Sequence, residues 1–362
     1  MELEERLAWV GLSMVRGVGP ARFRRLRAHF GSAVAAWQAP ADAWRQTGLP
    51  EAVVRSFVRL RREADLPALW ARWQQAGVFV LTWEDTAYPQ RLKALEHAPP
   101  VLYGRGALTA EDEWAVAVVG TRKMSTYGRR VAKEVATLLA DHGVTVVSGL
   151  ARGIDAVGHR AALQAGGRTV AVLGSGVDQI YPPEHRSLAE EITAHGALLS
   201  EYPPGTRPEA ANFPPRNRII AGLSLATVVV EGGRKSGALI TAAFAADQGR
   251  EVFAVPGSIY APQSEGPNWL IQQGARPLLL PEDILEALDL RLIPQRQEAR
   301  RRLPPNPTEA KLLAVLGPEP MHVDEICARS GLPISEVTAA LTLMELKGQV
   351  QSVGGMQYVA AR

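Results

Sequence analysis

The stretch Ala115-Val-Ala-Val-Val-Gly-Thr-Arg-Lys-Met-Ser-Thr-Tyr-Gly128 decides the fold class of this chain. A run of alanine and valine enters a glycine turn directly, which is typical of a strand buried on both faces of a parallel sheet. The pattern recurs downstream, where strands are predicted at 144–147, 169–173, 197–199, 226–230, 251–255 and 277–280. Amphipathic helices between these strands predict a doubly wound α/β domain over about 111–288.

The composition is that of a soluble globular protein. The 362 residues are 46% hydrophobic and carry a net charge of +3, so a nucleic-acid surface would require a local concentration of positive charge. A single cysteine, Cys327, excludes an intrachain disulfide and a multi-cysteine metal site, and we expect neither a metal nor a cofactor. Without a leader-like or long apolar run, the sequence predicts a cytoplasmic protein with no membrane contact.

Two smaller helical regions flank the α/β domain. Residues 1–62 are predicted to be short helices, and 63–110 a lead-in with a strand near 78–81. The turn Arg16-Gly-Val-Gly-Pro20 suits a helix-hairpin-helix, whose turn amides can contact a nucleic-acid backbone, but for the turn alone a plain αα-hairpin is the stronger interpretation. Four arginines on the next helix favour DNA contact, unless they form only a solvated face: Arg22, Arg24, Arg25 and Arg27.

The C-terminal region is predicted to be a winged helix. A basic, proline-bounded linker at 289–305 precedes three helical patterns and a small hairpin within 306–362. The third helix, at 335–347, carries two glutamates and one lysine. Such a helix is a poor phosphate partner, so we expect this domain to contact protein or to have a structural role.

Glycine-rich turns follow four of the predicted strands, at 120–128, 148–155, 174–178 and 231–237. Ligands of open α/β sheets bind at this edge, where backbone amides and helix N-termini approach a phosphate. The four turns together predict an anion-binding trough lined by Arg122, Lys123, Arg152 and Lys235. For each turn taken alone, a purely conformational role of the glycines is the stronger interpretation. None of the turns has the spacing of a dinucleotide-binding fingerprint or a P-loop.

The segment Asn212-Phe-Pro-Pro-Arg-Asn-Arg-Ile-Ile-Ala-Gly-Leu-Ser224 combines an aromatic ring with two guanidinium groups. An unpaired base can stack on Phe213 while Arg216 and Arg218 bind the flanking phosphates, as in single-strand binders. The alternative is that Phe213 is a core residue and the arginines pair with carboxylates such as Glu201. The sequence offers no group of catalytic residues. Asp155 suits a role in holding a loop amide or in orienting Arg152, and His159 suits the role of a hydrogen-bonded helix residue.

Six segments in this order and spacing resemble the DNA-processing protein A family, also called DprA or Smf. They are GTRKMSTYG, SGLARGID, GSGVDQIYPPEH, SEYPPGTRPEAANFPPRNRIIAGLS, SGALITAAFAADQGREVFAVPG and GPNWLIQQGA. The resemblance is strong over about 77–288. The resemblance implies an extended Rossmann-like domain that binds single-stranded DNA without hydrolysing anything. It also implies protection of incoming strands in natural transformation, transfer of the strand to the RecA recombinase, and a homodimer formed through Asn268, Ile271 and Leu278.

By position, the resemblance places the DNA site at Arg122, Phe213, Arg216, Asn217 and Arg218. The glycine-rich turns add the remaining candidate DNA contacts: Gly120, Thr121, Lys123, Ser148, Gly149, Arg152, Gly174, Ser175, Gly176, Lys235 and Ser236. The sequence departs from the family pattern at Ala210, Ala238 and, in the Tyr-Pro-x-x-Asn motif, at His185.

A second function class is a nucleotide-processing enzyme on the same scaffold, similar to phosphoribohydrolases of the lysine-decarboxylase-like group. In those enzymes a loop of the form Pro-Gly-Gly-x-Gly-Thr-x-x-Glu supplies a catalytic glutamate. The comparable loop here, Glu231-Gly-Gly-Arg-Lys-Ser-Gly-Ala-Leu-Ile, has no carboxylate after its glycines. That difference favours a binding protein that is not an enzyme.

Overall fold

The computed structural model describes residues 1–290, 307–317, 320–346 and 349–360. These residues form two compact units, Met1–Leu288 and Asp289–Arg362. The predicted linker at 289–305 lies outside the described residues from position 291 onward.

The first unit begins with helices, as predicted. They are α1 (Leu3–Met14), α2 (Pro20–Phe30), α3 (Ala33–Gln38), α4 (Ala41–Gln46), α5 (Glu51–Glu63) and α6 (Leu66–Gln75). The turn between α1 and α2 needs glycine, because Gly17 has a φ of +93°. Pro20 then occupies the first turn of α2, where a missing amide hydrogen costs nothing.

Three of the four arginines on α2 are engaged within the protein, and the first, Arg22, donates from Nη1 to the carbonyl of Gly17 at 2.7 Å. The guanidinium carbon of Arg24 lies 4.6 Å from the ring centroid of Trp83, and that of Arg27 lies 4.6 Å from the ring centroid of Trp9. Arg27 also forms a 2.8 Å ion pair with Glu84. These contacts join the helices to the lead-in of the sheet, so Arg24 and Arg27 have a structural role here.

A single nine-stranded sheet organises the rest of this unit, in the order β1-β2-β6-β5-β4-β3-β7-β8-β9. The strands are β1 (Phe79–Thr82), β2 (Val101–Gly106), β3 (Ala115–Val119), β4 (Thr145–Ser148), β5 (Thr169–Val172), β6 (Ala197–Ser200), β7 (Ala226–Val229), β8 (Glu251–Ala254) and β9 (Arg276–Pro277). Strands β3 to β9 pair in parallel, whereas β2 pairs antiparallel with both β1 and β6. Strand β2 is not among the strands predicted from the sequence.

The predicted strand at 277–280 is wrong in its extent, because β9 ends at Pro277. The backbone amides of Leu279 and Leu280 donate to Oδ2 of Asp283, at 3.1 and 2.9 Å. These bonds turn the chain away from the sheet. Strand β9 therefore ends at Pro277, although the apolar sequence continues to Leu280.

Eight helices connect and flank the strands of this unit: α7 (Gln90–Lys93), α8 (Thr126–Asp141), α9 (Ile154–Gln164), α10 (Arg186–His195), α11 (Phe213–Leu223), α12 (Gly237–Asp247), α13 (Glu265–Gln272) and α14 (Asp283–Ala287). Every residue of β3 to β7 is buried, since helices cover both faces of the sheet. Successive residues of β6 point to opposite faces of the sheet, and Leu198 and Leu199 accordingly belong to different hydrophobic clusters.

The second unit has the predicted winged-helix plan. Its elements are α15 (Pro307–Val315), β10 (Met321–His322), α16 (Val323–Ser330), α17 (Ile334–Leu346), β11 (Val350–Gly354) and β12 (Gln357–Ala360). The strands pair in the order β10-β12-β11 around a core that includes Leu312, Ile326, Val337 and Leu341. In the described parts of both units, no helix is long and apolar enough to span a bilayer.

Candidate nucleic-acid interface

A cleft of about 750 Å³ lies beyond the carboxyl ends of the strands, where the order reverses between β3 and β7. This switch point is where open α/β sheets bind their ligands. The cleft brings together eight of the predicted site residues: Gly120, Thr121, Arg122, Lys123, Phe213, Arg216, Asn217 and Ser236.

Backbone contacts hold the loops around the cleft. The Thr121 amide donates to the Glu231 carbonyl at 2.7 Å. Gly153 has a φ of +78°, and a Cβ there would lie 2.2 Å from the Thr121 carbonyl oxygen, so only glycine allows this approach. The Glu231 carboxylate accepts the Ser125 amide at 2.9 Å and also the Ser125 hydroxyl. Loops from three strands are therefore fixed to one another before any ligand binds.

An aromatic wall forms one side of the cleft. Phe213 begins α11 and is half-buried, with its ring centroid 5.7 Å from that of Tyr181. Gly174 allows this arrangement, because a Cβ there would lie 2.8 Å from Cδ1 of Phe213. Tyr181 is 39% exposed and was not among the predicted contacts, although it lies within the quoted segment 174–185.

Arg122 and Lys123 supply free positive charge at the mouth of the cleft. Both are exposed, and the Arg122 guanidinium carbon lies 5.8 Å from the Phe213 ring centroid. Among the side chains that the structure describes, no carboxylate forms an ion pair with either residue. A ring and an unpaired guanidinium thus lie side by side and open to solvent.

Arg216 differs from the sequence-based expectation. It is only 5% exposed, and its Nη1 donates to the carbonyl of Gly149 at 2.9 Å and to that of Val172. Burial lowers the pKa of Arg216 to about 10, although the nearby Asp155 opposes this shift. Its Nη1 thus already holds the loop at Gly149 and the end of β5 at the floor of the cleft, and the phosphate contact at Arg216 stays a prediction for its remaining donors.

Arg218 lies outside the cleft lining, in an ion pair of 2.7 Å with Glu201. The pair is largely buried, with side chains 13% and 18% exposed, which confirms for Arg218 the alternative of carboxylate pairing. Residues two apart on a helix cannot face the same side, so Arg216 and Arg218 could not both enter the cleft from α11. Asn217 joins α11 to α12 by donating to the Gly237 carbonyl at 3.1 Å.

Several residues of the predicted trough lie beneath the surface. The Ser148 hydroxyl donates to the Val118 carbonyl, and that of Ser175 to the Gln179 carbonyl, both at 2.7 Å. Gly174 and Gly176 are also buried. These four candidates do not line the cleft, and they shape the loops, because small residues at the strand ends allow close loop packing.

The outer cations of the predicted trough lie on neighbouring depressions. Arg152 and Gly149 line a small hollow beside the aromatic wall, and Arg152 pairs with Glu184 at 2.5 Å. Lys235 lines a separate groove next to α12 and α13. The trough is thus wider than the cleft and is interrupted between its parts.

Asp155 has the structural role expected of it, whereas His159 is hydrogen-bonded through Nδ1 alone and its buried Nε2 has no partner among the residues that the structure describes. The Asp155 carboxylate accepts the amides of Gly149 and Ala151 at 3.1 and 3.3 Å, and burial raises its pKa. His159 Nδ1 lies 2.7 Å from the hydroxyl of Thr169. Burial, with the charges of His185 and Arg216 nearby, lowers the pKa of His159 to about 3.

The predicted dimer residues lie near the β9 edge of the sheet. Asn268 forms two hydrogen bonds with the backbone of Gly257, and Leu278 is only 5% exposed, so these side chains stabilise their own subunit. Ile271 is half-buried. The large exposed apolar surface here belongs instead to Leu279 and Leu280, at 71% and 61% exposure.

Comparison with known proteins places the chain among DNA-processing proteins. Residues 79–289 match the family described as DNA recombination-mediator protein A, 3–65 a DprA-like N-terminal HHH domain, and 296–356 a DprA winged helix domain. Protein Smf of Synechocystis is 37% identical, over 99% of both chains. DNA processing protein DprA of Bacillus subtilis is 44% identical, over 62% of this chain and 75% of the relative.

Two solved structures are similar to this one. The X-ray structure of DNA processing protein A from Streptococcus pneumoniae has a TM-score of 0.69 at 33% identity, covering 79% of this chain and 98% of that one. The protein from Helicobacter pylori, solved for its single-stranded DNA binding mode, has a TM-score of 0.53 at 28% identity. The match covers 58% of this chain and 95% of that one.

Proposed function

Because this chain belongs to the DNA recombination-mediator protein A family, we propose that it binds single-stranded DNA, protects incoming strands in natural transformation and delivers them to the RecA recombinase without catalysing a reaction. The observation that carries the binding proposal is the exposed guanidinium of Arg122 beside the ring of Phe213, at the switch point of the sheet.

A single strand suits this site better than a duplex. A base that is not paired can stack on Phe213 or Tyr181, and the flanking phosphates then reach Arg122 and Lys123. Bases within a duplex are already stacked and cannot offer a face to either ring. Binding of this kind depends little on sequence, because every base has a π-face and every nucleotide has a phosphate.

The Helicobacter pylori relative supports the assignment, because its structure was solved for its binding of single-stranded DNA. The family description adds recombination mediation, which is the basis for proposing transfer of the strand to RecA. We expect the protein to speed RecA filament formation on a strand already coated with single-strand binding protein. An unchanged filament rate would contradict the transfer role while leaving strand binding intact.

The carboxylates at the cleft favour binding over nucleotide hydrolysis. Asp155 accepts two loop amides, and Glu231 accepts the amide and hydroxyl of Ser125. A general acid or base needs a carboxylate that is free to reach the substrate. A nucleotide-hydrolysis assay run beside the binding assay separates the two function classes, and turnover that survives stringent purification would favour the enzyme.

Fluorescence anisotropy of a labelled single strand, with a duplex of the same sequence as competitor, tests the binding proposal. Arg122→Ala should weaken binding. It should also lower the steepness of the salt slope, which is the slope of log K against log salt concentration, by about 0.7, the value for one phosphate contact of a single strand. Arg130→Ala is the matched control, because Arg130 is an exposed arginine of α8 already paired with Glu134 at 2.8 Å. Equal effects of the two variants would contradict a phosphate contact at Arg122.

We also propose that the protein is a homodimer that associates through the β9 edge. Strand β9 has two residues and ends the sheet, and Leu279 and Leu280 are exposed beside it. An open, apolar sheet edge is prone to association unless it is covered. Light scattering at micromolar concentration measures the mass directly, and a monomer would contradict this proposal alone.

A further inference from the structure

A second cationic depression lies between α8 and α9, outside the cleft. Its volume is about 430 Å³, and four cations line it: Arg129, Lys133, Arg152 and Arg160. Arg129 and Lys133 are one helical turn apart on α8, and Arg160 comes from the facing helix α9. The two helices thus present positive charge to a shared groove.

Three of these cations are exposed and without an ion pair within the described part of the chain: Arg129, Lys133 and Arg160. Their surroundings show that pairing was available, since the adjacent Arg130 is paired with Glu134 on the same helix. Like charges four residues apart destabilise a helix. A groove that keeps three unpaired cations together therefore suits an anionic ligand.

The groove adjoins the cleft through a small hollow. The hollow between them is lined by Arg122, Tyr181 and Phe213, which also line the cleft, and by Arg152, which also lines the groove. The loops meet here as well, because a Cβ on Gly153 would contact the Thr121 carbonyl. A strand that leaves the aromatic wall would reach the groove past Arg152, which lines both the hollow and the groove.

The lining indicates which part of a nucleic acid the groove would hold. Ala156 and Ala161 contribute small side chains, and of the lining residues, all within the described ranges, none is phenylalanine, tyrosine or tryptophan. The imidazole of His185 also lines the groove but is buried, so bases would find no exposed aromatic face here, whereas phosphates would find the three cations. The groove suits a sugar-phosphate backbone.

We propose that the α8–α9 groove carries the backbone of the bound single strand onward from the cleft, which extends the DNA site by up to three phosphate contacts. This inference rests on the proposed single-strand binding. Affinity should then continue to rise with strand length after the cleft is filled, because each added phosphate at the groove releases counterions.

The test compares the wild-type protein with an Arg129→Gln/Lys133→Gln/Arg160→Gln variant on strands of about 4 to about 30 nucleotides. On long strands the variant should lose about 2 units of salt slope, at about 0.7 for each phosphate contact. The ratio of wild-type to variant affinity should therefore be about 20-fold larger at 50 mM than at 200 mM salt. On strands that fill only the cleft, the two proteins should bind alike, and Arg130→Gln should behave as wild type at every length.

The outcomes separate this inference from the proposed function. A wild-type protein that binds no single strand overturns both. A wild-type protein that binds strands, with a folded triple variant equal to it on long strands, overturns the groove alone and would leave the surface to an acidic protein partner. If the triple variant fails to fold, Lys133→Gln and Arg160→Gln tested singly should each lower the slope by about 0.7, and two unchanged slopes overturn the inference.

Discussion

Replacing Phe213 with alanine separates base stacking from phosphate binding. The ring is half-buried against Tyr181, and the guanidinium carbon of Arg122 lies 5.8 Å from its centroid. Removing the ring leaves the charges of Arg122 and Lys123 in place. We therefore expect a loss of affinity for single strands without a loss of salt dependence, since stacking carries no counterion term.

The magnitude follows from one stacked base. Loss of base stacking costs about 1–3 kcal/mol, which corresponds to about 5- to 150-fold in the dissociation constant. The cation–π contact with Arg122 contributes about 0.5–1 kcal/mol at an exposed site, so a small part of the loss reflects freer motion of that arginine. Because Phe213 is only half-buried, its truncation should cost about 2 kcal/mol of stability, roughly half the value for a fully buried ring.

Anisotropy titrations of Phe213→Ala at several salt concentrations give affinity and slope together, and thermal unfolding gives stability. Phe213→Tyr is the matched control and should bind nearly as wild type, because it keeps the π-face. Two results would refute the reasoning. A slope that falls by about 0.7 would mean that the ring serves only to position Arg122. A destabilised protein with unchanged affinity would mean that Phe213 is only a core residue.

Three further outcomes are expected. Arg216→Ala should lower the free energy of unfolding by about 3 kcal/mol or more, because it leaves the buried carbonyls of Gly149 and Val172 without their donor. A thermal unfolding midpoint near that of the wild type would show that Arg216 is dispensable for folding. Ile271→Glu should give a folded monomer that binds long strands more weakly, because a dimer holds two linked DNA sites and linked sites raise avidity. A variant that light scattering shows to be a dimer would contradict this. For His159, whose pKa falls from 6.5 to about 3, the folded state binds fewer protons, so stability should fall as pH drops from about 6.5 towards 3. His159→Gln should show a shallower fall in urea titrations, and identical pH profiles would contradict this contribution.

The strands of the parallel core were predictable from the sequence. Alanine and valine runs such as Ala115–Val119 predict a strand without knowledge of the neighbouring strands, because a strand buried on both faces is apolar at every position. Strand β2 was missed because its segment, Val101–Gly106, follows two prolines, contains two glycines and pairs antiparallel with β6, which is distant in sequence. Strand β9 was predicted too long because a carboxylate, Asp283, ends it by binding the backbone amides that follow.

The candidate site was predictable in its location and in its chemical class. Glycine turns after buried strands indicate the ligand-binding edge, and the segment 212–224 indicates a ring beside cations. The roles of individual arginines were not predictable, because the same residue type serves as an exposed contact at Arg122, a buried loop anchor at Arg216 and half of an ion pair at Arg218. Tyr181 was missed because its proximity to Phe213 depends on two loops meeting.

The sequence by itself determined the α/β class, the helical and winged-helix flanks, the edge of the sheet that carries the site and the aromatic ring within it. These features depend on local pattern, since strand and helix periodicity and glycine turns are properties of short segments. Only the tertiary structure decided which cations face solvent. Whether a guanidinium is exposed, buried against carbonyls or paired with a carboxylate depends on neighbours brought from distant parts of the chain, as Gly149 is to Arg216 and Glu201 is to Arg218. The desolvation and pairing of a charge are set by that environment and not by its own residue type.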